Sequence, residues 1–355
     1  MLKNTKKCTE KLKIQYPIIQ APMAGGATTP ELVAAVSNAG GLGSLGAGYM
    51  APNDMKKAIK KIRELTKEPF SVNLFIPQEH RASQEQIEKA CQDIAECSKE
   101  LGHNIKSILI TYSESFEEQI KVVFEEEVPI FSFTFGVLNA KWIKRLRSNN
   151  TILIGMATTL PEAQMLEKAG VDMLIAQGSE AGGHRGTFLG REEDALIGLF
   201  SLIPQCVEQL KIPVIAAGGI MNGRDIVAAI ALGAAGVQMG TAFLSCYESG
   251  IHEKYKKVLL TQEQDNTILT RAFSGKLARG IRNKFINCMQ TRKSTILDYP
   301  IQNALTNSMR QKAKETDSTD FMSMWAGQAA PLCRDISAGK LIAQLIDETN
   351  KTFNS

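Results

Sequence analysis

The chain has 355 residues, of which 44% are hydrophobic and 22% are charged, and its formal net charge is +4. This is the composition of a globular protein with a large core. The length suits one α/β barrel of roughly 250 residues with an appendage of roughly 100, or two domains. The charge is small and the basic residues are scattered, which argues against a nucleic-acid partner but is compatible with small anionic substrates.

The N-terminal lysines and the cysteines bear on the cellular location. Lys3, Lys6 and Lys7 are not followed by an apolar run, so no signal peptide is predicted. No apolar segment approaches the roughly 20 residues that a membrane helix needs. Seven dispersed cysteines without a Cys-x-x-Cys pair favour reduced thiols over a disulfide framework or a zinc site. The sequence therefore predicts a cytoplasmic protein with no membrane partner.

Short apolar runs rich in valine, isoleucine and phenylalanine recur from the N-terminus onward. Runs of this length and composition are typical of buried parallel strands. The eight predicted strands are Pro17–Ala21, Gly41–Leu45, Phe70–Ile76, Ile130–Phe135, Ile152–Met156, Met173–Gln177, Val214–Ala217 and Val237–Gly240.

Helical segments separate these strands. The first begins after the cap-like residues Thr28 and Thr29, with Pro30 in its first turn, and ends at Gly40. Eight repeats of strand and helix predict a (β/α)8 TIM barrel. The predicted helices are Pro30–Asn38, Asp54–Leu65, Gln84–Leu101, Pro161–Lys168, Ala195–Leu210, Arg224–Leu232 and Asp335–Asn350.

Two segments break the alternation. The polar insertion 78–127 contains a ninth strand candidate, Ser107–Thr111, which we treat as a spare. Residues 245–330 show helical patterns and a basic run, and we interpret them as a mostly helical cap inserted after the eighth strand. The predicted domains are therefore an α/β barrel over 1–244 and 331–355 and a cap over 245–330.

The turns after the last two predicted strands carry glycines. In TIM barrels a phosphate often lies between the loops after strands seven and eight, where free backbone N–H groups and a helix dipole meet it. The alternative is that the glycines only make tight turns. We favour a phosphate site, formed by Gly218, Gly219, Gln238, Met239, Gly240 and Thr241.

A GxGxxG pattern at 41–46 invites a different interpretation. In a Rossmann fold this motif follows a strand and opens a helix. Here a helix precedes the motif, and the motif itself forms the second predicted strand. A Rossmann dinucleotide site is therefore not favoured.

Two side-chain amides lie in apolar strands. Asn73 and Gln177 must find hydrogen-bond partners, because an unpaired buried amide is unfavourable. At the end of a barrel strand that partner can be the ring edge of a cofactor, and the alternative is a group in a neighbouring loop. We favour the cofactor for both residues.

His184 follows Gly182 and Gly183 in the predicted loop after strand six. A lone histidine is more often structural, but this one lies where barrel enzymes build their active sites, beside glycines that leave room for a ligand. We predict a catalytic role for His184, while Glu180 either orients it or lies in solvent. One histidine without clustered acids predicts no metal centre.

Several residues of the cap have two interpretations. Tyr299 and Arg310, placed in a cap helix, are the candidates for contact with an anionic substrate. The basic run containing Lys276, Arg279 and Arg282 is interpreted mainly as a solvated face. Trp325 either lines the pocket or packs the cap.

Taken together in this order, the motifs are similar to those of one family. The chain resembles the bacterial class I nitronate monooxygenases, once called 2-nitropropane dioxygenases. Enoyl-ACP reductases that use FMN share the Gly-Gly-His loop and both glycine turns, so the specific part of the resemblance lies in the first motif and the phenylalanine-rich one. The motifs are Gln20–Gly26, Ala39–Gly43, Val72–Phe75, Phe131–Gly136, Gly182–His184, Ala216–Ile220 and Gln238–Thr241.

The resemblance implies an FMN cofactor, a small anionic alkyl nitronate such as propionate 3-nitronate as substrate, molecular oxygen as co-substrate, and a detoxifying role. It implies that the phosphate lies at strands seven and eight and that the ring faces strands one, three and six, with His184 offering a hydrogen bond or a positive charge. The residues implied at FMN are Pro22, Met23, Asn73, Gln177, Gly182, Gly183, Gly218, Gly219 and Gln238 to Thr241.

Other assignments stay open at this point. The first alternative is an FMN- and NAD(P)H-dependent enoyl-ACP reductase on the same barrel. A non-redox lyase or isomerase that binds a substrate phosphate is the second, although the predicted strands contain no lysine of the kind such enzymes often use. A homodimer is compatible with the sequence.

Overall fold

The computed structural model describes residues 3–102 and 112–354. Its main sheet contains eight parallel strands in the order β1-β9-β8-β6-β5-β4-β3-β2. The strands are β1 Ile18–Gln20, β2 Gly43–Gly46, β3 Phe70–Phe75, β4 Ile130–Thr134, β5 Ile152–Ala157, β6 Met173–Gln177, β7 Gly183–His184, β8 Val214–Ala217, β9 Gly236–Met239, β10 Thr267–Thr270 and β11 Ala278–Ile281.

Backbone hydrogen bonds close the sheet into a barrel. The N–H of Gln20 donates to the carbonyl of Leu42, and the N–H of Leu42 donates to the carbonyl of Ile18, each over 2.9 Å. These bonds join β1 to the start of β2, the two outer strands of the sheet order. The predicted TIM barrel is confirmed, and each of the eight predicted strands overlaps an observed one. The spare candidate Ser107–Thr111 lies outside the described residues.

Helices surround the barrel, and local signals fix many of their starts. Ser83 and Gln86 form a reciprocal capping box, as do Asn222 and Asp225. The helices are α1 Lys3–Leu12, α2 Pro30–Asn38, α3 Pro52–Leu65, α4 Gln84–Cys97, α5 Phe116–Glu125, α6 Ala140–Ser148, α7 Leu160–Ala169, α8 Leu199–Gln209, α9 Gly223–Ala231, α10 Thr241–Leu244, α11 Glu253–Leu260, α12 Lys284–Gln290, α13 Ile301–Leu305, α14 Asn307–Glu315 and α15 Ala338–Asn354.

The inside of the barrel is apolar and is covered at its lower end. Ile19, Ile154 and Ile215 belong to one buried cluster that also contains Cys8 and Leu12 of α1. Helix α1 therefore packs at the amino-terminal ends of the strands. This leaves the carboxyl-terminal ends for a site, as in other TIM barrels.

Segment 245–330 is less helical than we predicted. It contains β10 and β11, which pair antiparallel with each other, and β11 also pairs with β7, so that Ala278 lies opposite His184. His184 lies after the sixth barrel strand, as predicted, and its backbone forms the edge of this small sheet. The predicted domain boundary at 244/245 stays a prediction.

A second buried cluster joins the two segments that broke the alternation. Ala90 and Ile94 of α4 pack with Phe285 and Met289 of α12. The same two helices are linked by a disulfide between Cys97 and Cys288, with their Cα atoms 5.7 Å apart. The prediction of reduced thiols throughout is wrong for this pair, because the fold joins two cysteines that are 191 residues apart in sequence.

The helices also bear on the predicted absence of a membrane partner. Across the described ranges, every helix falls short of the length and apolar character needed to cross a bilayer.

Candidate active site

A cavity of about 700 Å³ opens at the carboxyl-terminal ends of the barrel strands. This volume is in the range of small-molecule and cofactor sites. The structure brings nearly all predicted site residues to its wall, and Tyr299 alone among them lies outside the lining. Those at the wall are Pro22, Met23, Asn73, Gln177, Gly182, Gly183, His184, Gly218, Gly219, Gln238, Met239, Gly240, Thr241 and Arg310.

The turn after β8 needs its glycines. Gly218 and Gly219 have φ angles of +130° and +67°, which side chains other than glycine rarely adopt. A Cβ atom on Gly219 would lie 3.2 Å from the Cβ of Glu180. Among the described residues, no acceptor for the N–H of Gly219 is found. This turn therefore offers backbone to the cavity and has no room for side chains.

The turn after β9 is built differently. Gly240 has no positive φ, and α10, which follows it, is a single turn of four residues. The Thr241 hydroxyl accepts a hydrogen bond from the N–H of Gly327 over 3.0 Å. The side chain of Gln238 is buried and lines the cavity, and its amide has no hydrogen-bond partner within the described part of the chain. An unpaired side-chain amide that lines a cavity suits a polar ligand.

Gly182 and Gly183, which precede His184, occupy positions that require glycine for different structural reasons. A Cβ atom on Gly182 would lie 2.5 Å from the carbonyl carbon of Ala326 and from the nitrogen of Gly327. Packing of the chain against segment 326–327 explains Gly182 without a ligand. Gly183 has a φ of +74°, and nothing lies within 4 Å of the position of its Cβ, which leaves open space at the cavity wall.

Both strand amides have protein partners. Asn73 Nδ2 donates to Ser132 Oγ over 2.9 Å. Gln177 Nε2 donates to the carbonyl of His184 over 3.0 Å, and its Oε1 accepts from the N–H of Gly186 over 2.8 Å. The alternative of a partner in a neighbouring loop is therefore present for Gln177, whereas the partner of Asn73 lies on the adjacent strand β4. For Gln177 it has a clear consequence, because this amide fixes the backbone on either side of Arg185.

Ser274 is the polar partner of the His184 ring, and sequence analysis missed it. Its Oγ lies 2.9 Å from Nε2 of His184 and 3.1 Å from the carbonyl of Lys276. A hydroxyl that donates to that carbonyl accepts from Nε2–H, which leaves Nδ1 as the unprotonated nitrogen. Ser274 is 90 residues from His184 and belongs to no motif, so only the tertiary structure pairs them.

The surroundings of His184 favour its neutral form. Burial lowers its pKa to about 3, and the positive charges of Lys276 and Arg310 act in the same direction. His184 therefore presents a hydrogen bond at neutral pH, and the positive charge that we considered is not available in the free protein. Glu180 does not orient it, because the carboxylate Oε1 of Glu180 accepts from the N–H of Leu199.

Arg310 brings a positive charge to the cavity, and no described residue gives it an acidic partner. Its Nη2 donates to the carbonyl and to the side-chain oxygen of Asn303, over 2.7 and 3.0 Å. Its buried Nε has no hydrogen-bond partner among the described residues. Burial lowers the pKa of Arg310, and the opposing influence is that of the Tyr49 hydroxyl. A buried guanidinium compensated only by neutral groups attracts an anion.

Tyr299 lies behind the wall, before α13 and not within a helix as predicted. Its ring centroid lies 6.3 Å from that of His184 and 5.8 Å from that of Phe135. Burial raises its pKa well above the usual range, and Tyr49 adds to the effect. Tyr49, which sequence analysis missed, does line the cavity, and its buried hydroxyl has no hydrogen-bond partner within the described chain.

The basic run of the cap is largely buried, contrary to its interpretation as a solvated face. Lys276 is 8% exposed, with its Nζ 2.7 Å from Glu192 and 4.7 Å from the centre of the Phe135 ring. Arg279 is equally buried and donates to the carbonyl of Ser179. Only Arg282 is exposed. The run closes one side of the site because β11 pairs with β7.

A closed parallel barrel with a polar cavity at the carboxyl ends of its strands defines a TIM-barrel enzyme. The chain belongs to the nitronate monooxygenase family, whose model matches residues 5–348. It is accordingly an oxidoreductase, as the resemblance implied.

Individual relatives agree with this placement. A probable nitronate monooxygenase from Staphylococcus aureus (strain MRSA252) is 44% identical over 349 residues, which cover 98% of each chain. Nitroalkane oxidase from Streptomyces ansochromogenes is 38% identical, with a TM-score of 0.88 over 98% of this chain and 99% of its own. FabK from Thermotoga maritima is 32% identical, with a TM-score of 0.76 over 98% of this chain and 96% of its own.

Proposed function

We propose that the protein binds FMN and uses molecular oxygen to oxidise small alkyl nitronates to a carbonyl compound and a nitrogen oxyanion, as a cytoplasmic detoxifying enzyme. The observation that carries the proposal is a single cavity bounded by two glycine turns, a neutral histidine and an uncompensated arginine. This combination suits an anionic cofactor together with an anionic substrate.

The turns after β8 and β9 suit the phosphate group of FMN. The N–H of Gly219 has no acceptor among the described residues, and a side chain on this residue would press on Glu180. The unpaired amide of Gln238 offers a further donor on the adjacent strand. Backbone donors at glycine turns bind phosphate oxygens without a full counter-charge.

The opposite wall suits the ring and the substrate. When bound, FMN supplies one-electron chemistry between the nitronate and oxygen. Neutral His184 would offer its unprotonated Nδ1 to the substrate as a hydrogen-bond acceptor, and Ser274 would hold its ring in place. Aromatic residues around His184 exclude water from this side, with Trp325 nearest at 5.3 Å between ring centroids.

Arg310 and Tyr49 suit the negative charge of the substrate. The neighbouring cation Lys276 is already paired with Glu192 at 2.7 Å, whereas Arg310 has no carboxylate partner in the described chain. We therefore assign Arg310, together with the Tyr49 hydroxyl, to the binding of an anionic group. Tyr299, which lies outside the cavity lining, would support the ring of His184 and would not bind substrate directly.

Spectra and anaerobic mixing test the proposal. We expect the purified protein to carry the absorbance bands of a flavin, released as FMN on denaturation. Propyl nitronate should bleach these bands without oxygen, and turnover in air should consume oxygen and release nitrite. Fast bleaching by NADH but not by the nitronate would instead support an enoyl reductase. A protein that binds no flavin and still processes a phosphorylated substrate would support a non-redox barrel enzyme.

A further inference from the structure

A disulfide joins the two segments that interrupt the alternation of strands and helices. Cys97 ends α4 and Cys288 lies within α12, and their sulfur atoms are bonded. Nη1 of Arg292 lies 3.2 Å from the sulfur of Cys97 and 3.0 Å from that of Cys288. One cation therefore touches both sulfur atoms.

Other charges hold this guanidinium in place. Nη2 of Arg292 lies 2.9 Å from a carboxylate oxygen of Glu96, and its Nε lies 3.5 Å from a carboxylate oxygen of Asp93. Asp93 is 4% exposed, whereas the side chain of Glu96 is largely exposed. Two carboxylates from α4 thus aim the free edge of the guanidinium at the sulfur pair.

A fixed cation stabilises the reduced and the oxidised state of the cysteine pair to different extents. A disulfide is neutral and gains little from a guanidinium, whereas a thiolate is strongly stabilised by one. Stabilising the reduced form makes a disulfide easier to reduce, and a thiolate of low pKa is a good leaving group in exchange. The Arg292 contacts therefore favour the reduced form of a bond that is otherwise protected by burial.

We propose that Cys97 and Cys288 form a reversible thiol–disulfide site, stabilised in its reduced state by Arg292, that fastens one wall of the cavity. The turn Lys99–Leu101, which directly follows α4, contacts α14, and α14 carries Arg310 at the cavity wall. The covalent link between α4 and α12 thus holds a segment that packs against this wall.

The exchange partner is a dithiol reductant. Its thiolate attacks the sulfur of Cys288, which is half-buried, whereas Cys97 is only 7% exposed. The S–S bond breaks and Cys97 leaves as a thiolate beside Arg292. The second thiol of the reductant then displaces Cys288, so the reductant becomes a disulfide after giving up two electrons. One of its two protons stays on Cys288 and the other passes to water. The reverse reaction, with the oxidised reductant, restores the bond.

The test measures the redox equilibrium of the folded protein as purified. It is equilibrated in buffers of varied reduced-to-oxidised dithiothreitol ratio, alkylated and digested, and the peptides containing Cys97 and Cys288 are quantified by mass spectrometry. For Arg292→Met we expect the midpoint to move by about tenfold towards more reducing ratios, because a charged hydrogen bond to the thiolate is lost. Arg292→Lys should lie between this variant and the parent.

Arg282→Met is the matched control, because Arg282 is exposed and its guanidinium contacts Asn287 and not sulfur. Its midpoint should equal that of the parent. Equal midpoints for the parent and Arg292→Met, with both proteins folded by circular dichroism, would overturn the proposal. So would a pair that forms no disulfide at any ratio. Neither readout depends on nitronate turnover, so the outcome is independent of the proposed function.

A second measurement addresses the link between the disulfide and the cavity wall, and it rests on the proposed function. Steady-state kinetics with propyl nitronate compare the oxidised parent with Cys97→Ser/Cys288→Ser. We expect KM to rise about threefold to tenfold with little change in kcat, since loosening a wall affects binding more than chemistry. An unchanged KM would remove the fastening role and leave the redox site itself standing.

Discussion

The two walls of the cavity are built from different parts of the chain. The wall at β8 and β9 consists of backbone and strand residues close together in sequence, such as Gly218, Gly219 and Gln238. The wall around His184 is assembled from side chains of distant segments, including Ser274, Arg310 and Trp325. We call the first the backbone wall, because it presents fixed N–H groups, and the second the side-chain wall, because it presents neutral and cationic side chains.

This difference indicates a division of labour. A wall of glycine backbone cannot vary its chemistry without losing its shape, which suits an invariable part of a ligand such as a phosphate. A wall of side chains can be adjusted residue by residue, which suits a substrate and its reaction. Variants on the first wall should therefore affect cofactor binding, and variants on the second should affect turnover and KM.

The largest effect is expected from Gly219→Ala. Its φ of +67° and its closeness to Glu180 leave no unstrained place for a methyl group beside the N–H that we assign to the phosphate. FMN affinity, measured by fluorescence titration of the deflavinated protein, should fall about 100-fold, as expected for the loss of charged hydrogen bonds together with strain. Gly190→Ala is the control, since Gly190 has a φ of +77° with nothing within 4 Å and lies outside the cavity lining. Equal losses in both variants would contradict the assignment.

The next largest effect is expected from His184→Asn. Removing the imidazole should lower kcat for propyl nitronate by about 100-fold, the usual order for a positioned acid–base or hydrogen-bonding group. The flavin spectrum should remain, because His184 belongs to the side-chain wall. Unchanged turnover would exclude His184 from the chemistry, and loss of the flavin would show that the two walls are not separate in function.

Arg310→Met should act mainly on KM. The loss of an uncompensated buried cation should raise KM for propionate 3-nitronate about tenfold or more, with a smaller effect on propyl nitronate, which carries one anionic group fewer. Lys312→Met, on the same helix and paired with Glu315 at the surface, should leave both KM values unchanged. Equal effects of the Arg310 substitution on the two substrates would contradict binding of a second anionic group.

A smaller effect is expected from Ser274→Ala. Without the hydroxyl at 2.9 Å, the ring of His184 loses the partner that fixes its tautomer, and kcat should fall about tenfold. Nitrogen NMR of labelled histidine should show a shift in the tautomer ratio. A purely structural role would lower thermal stability and leave this ratio unchanged.

The smallest expected effect is on the pH dependence of the free energy of unfolding. The pKa of His184 is lowered to about 3 in the folded protein, below its value in the unfolded chain. The unfolded chain therefore binds the proton first as the pH falls. His184 contributes fully to stability above its unfolded pKa, and this contribution is lost as the pH falls towards the folded pKa. Between pH 7 and pH 5 the parent should lose at most about 2 kcal/mol more unfolding free energy than His184→Asn. Denaturant unfolding at the two pH values measures this difference.

Local sequence was enough for the barrel and for the backbone wall. Buried strands such as β5 and β8 are continuous apolar runs, and the helix caps at Thr29 and Asn222 are local hydrogen bonds. Glycine after a strand marks a turn wherever it occurs. The strand register then follows, which places Gln177 opposite Ala217 and Ala217 opposite Gln238.

Local sequence was not enough for the side-chain wall. Strands β10 and β11 were missed because their runs are short and partly charged, and the pairing of β11 with β7 depends on residues about 95 positions apart. The same pairing buries Lys276 and Arg279, which resemble surface residues when considered by their type alone. Ser274, Tyr49 and the link between Cys97 and Cys288 have no motif to mark them.

The sequence by itself determined the barrel, the glycine turns and the position of the site at the carboxyl-terminal ends of the strands. These features follow from periodicity and backbone conformation, which neighbouring residues encode. The tertiary structure decided which groups face His184, which cation is left without a partner and which cysteines meet. Those outcomes depend on burial and on contacts between distant segments, and neither property belongs to any short stretch of chain.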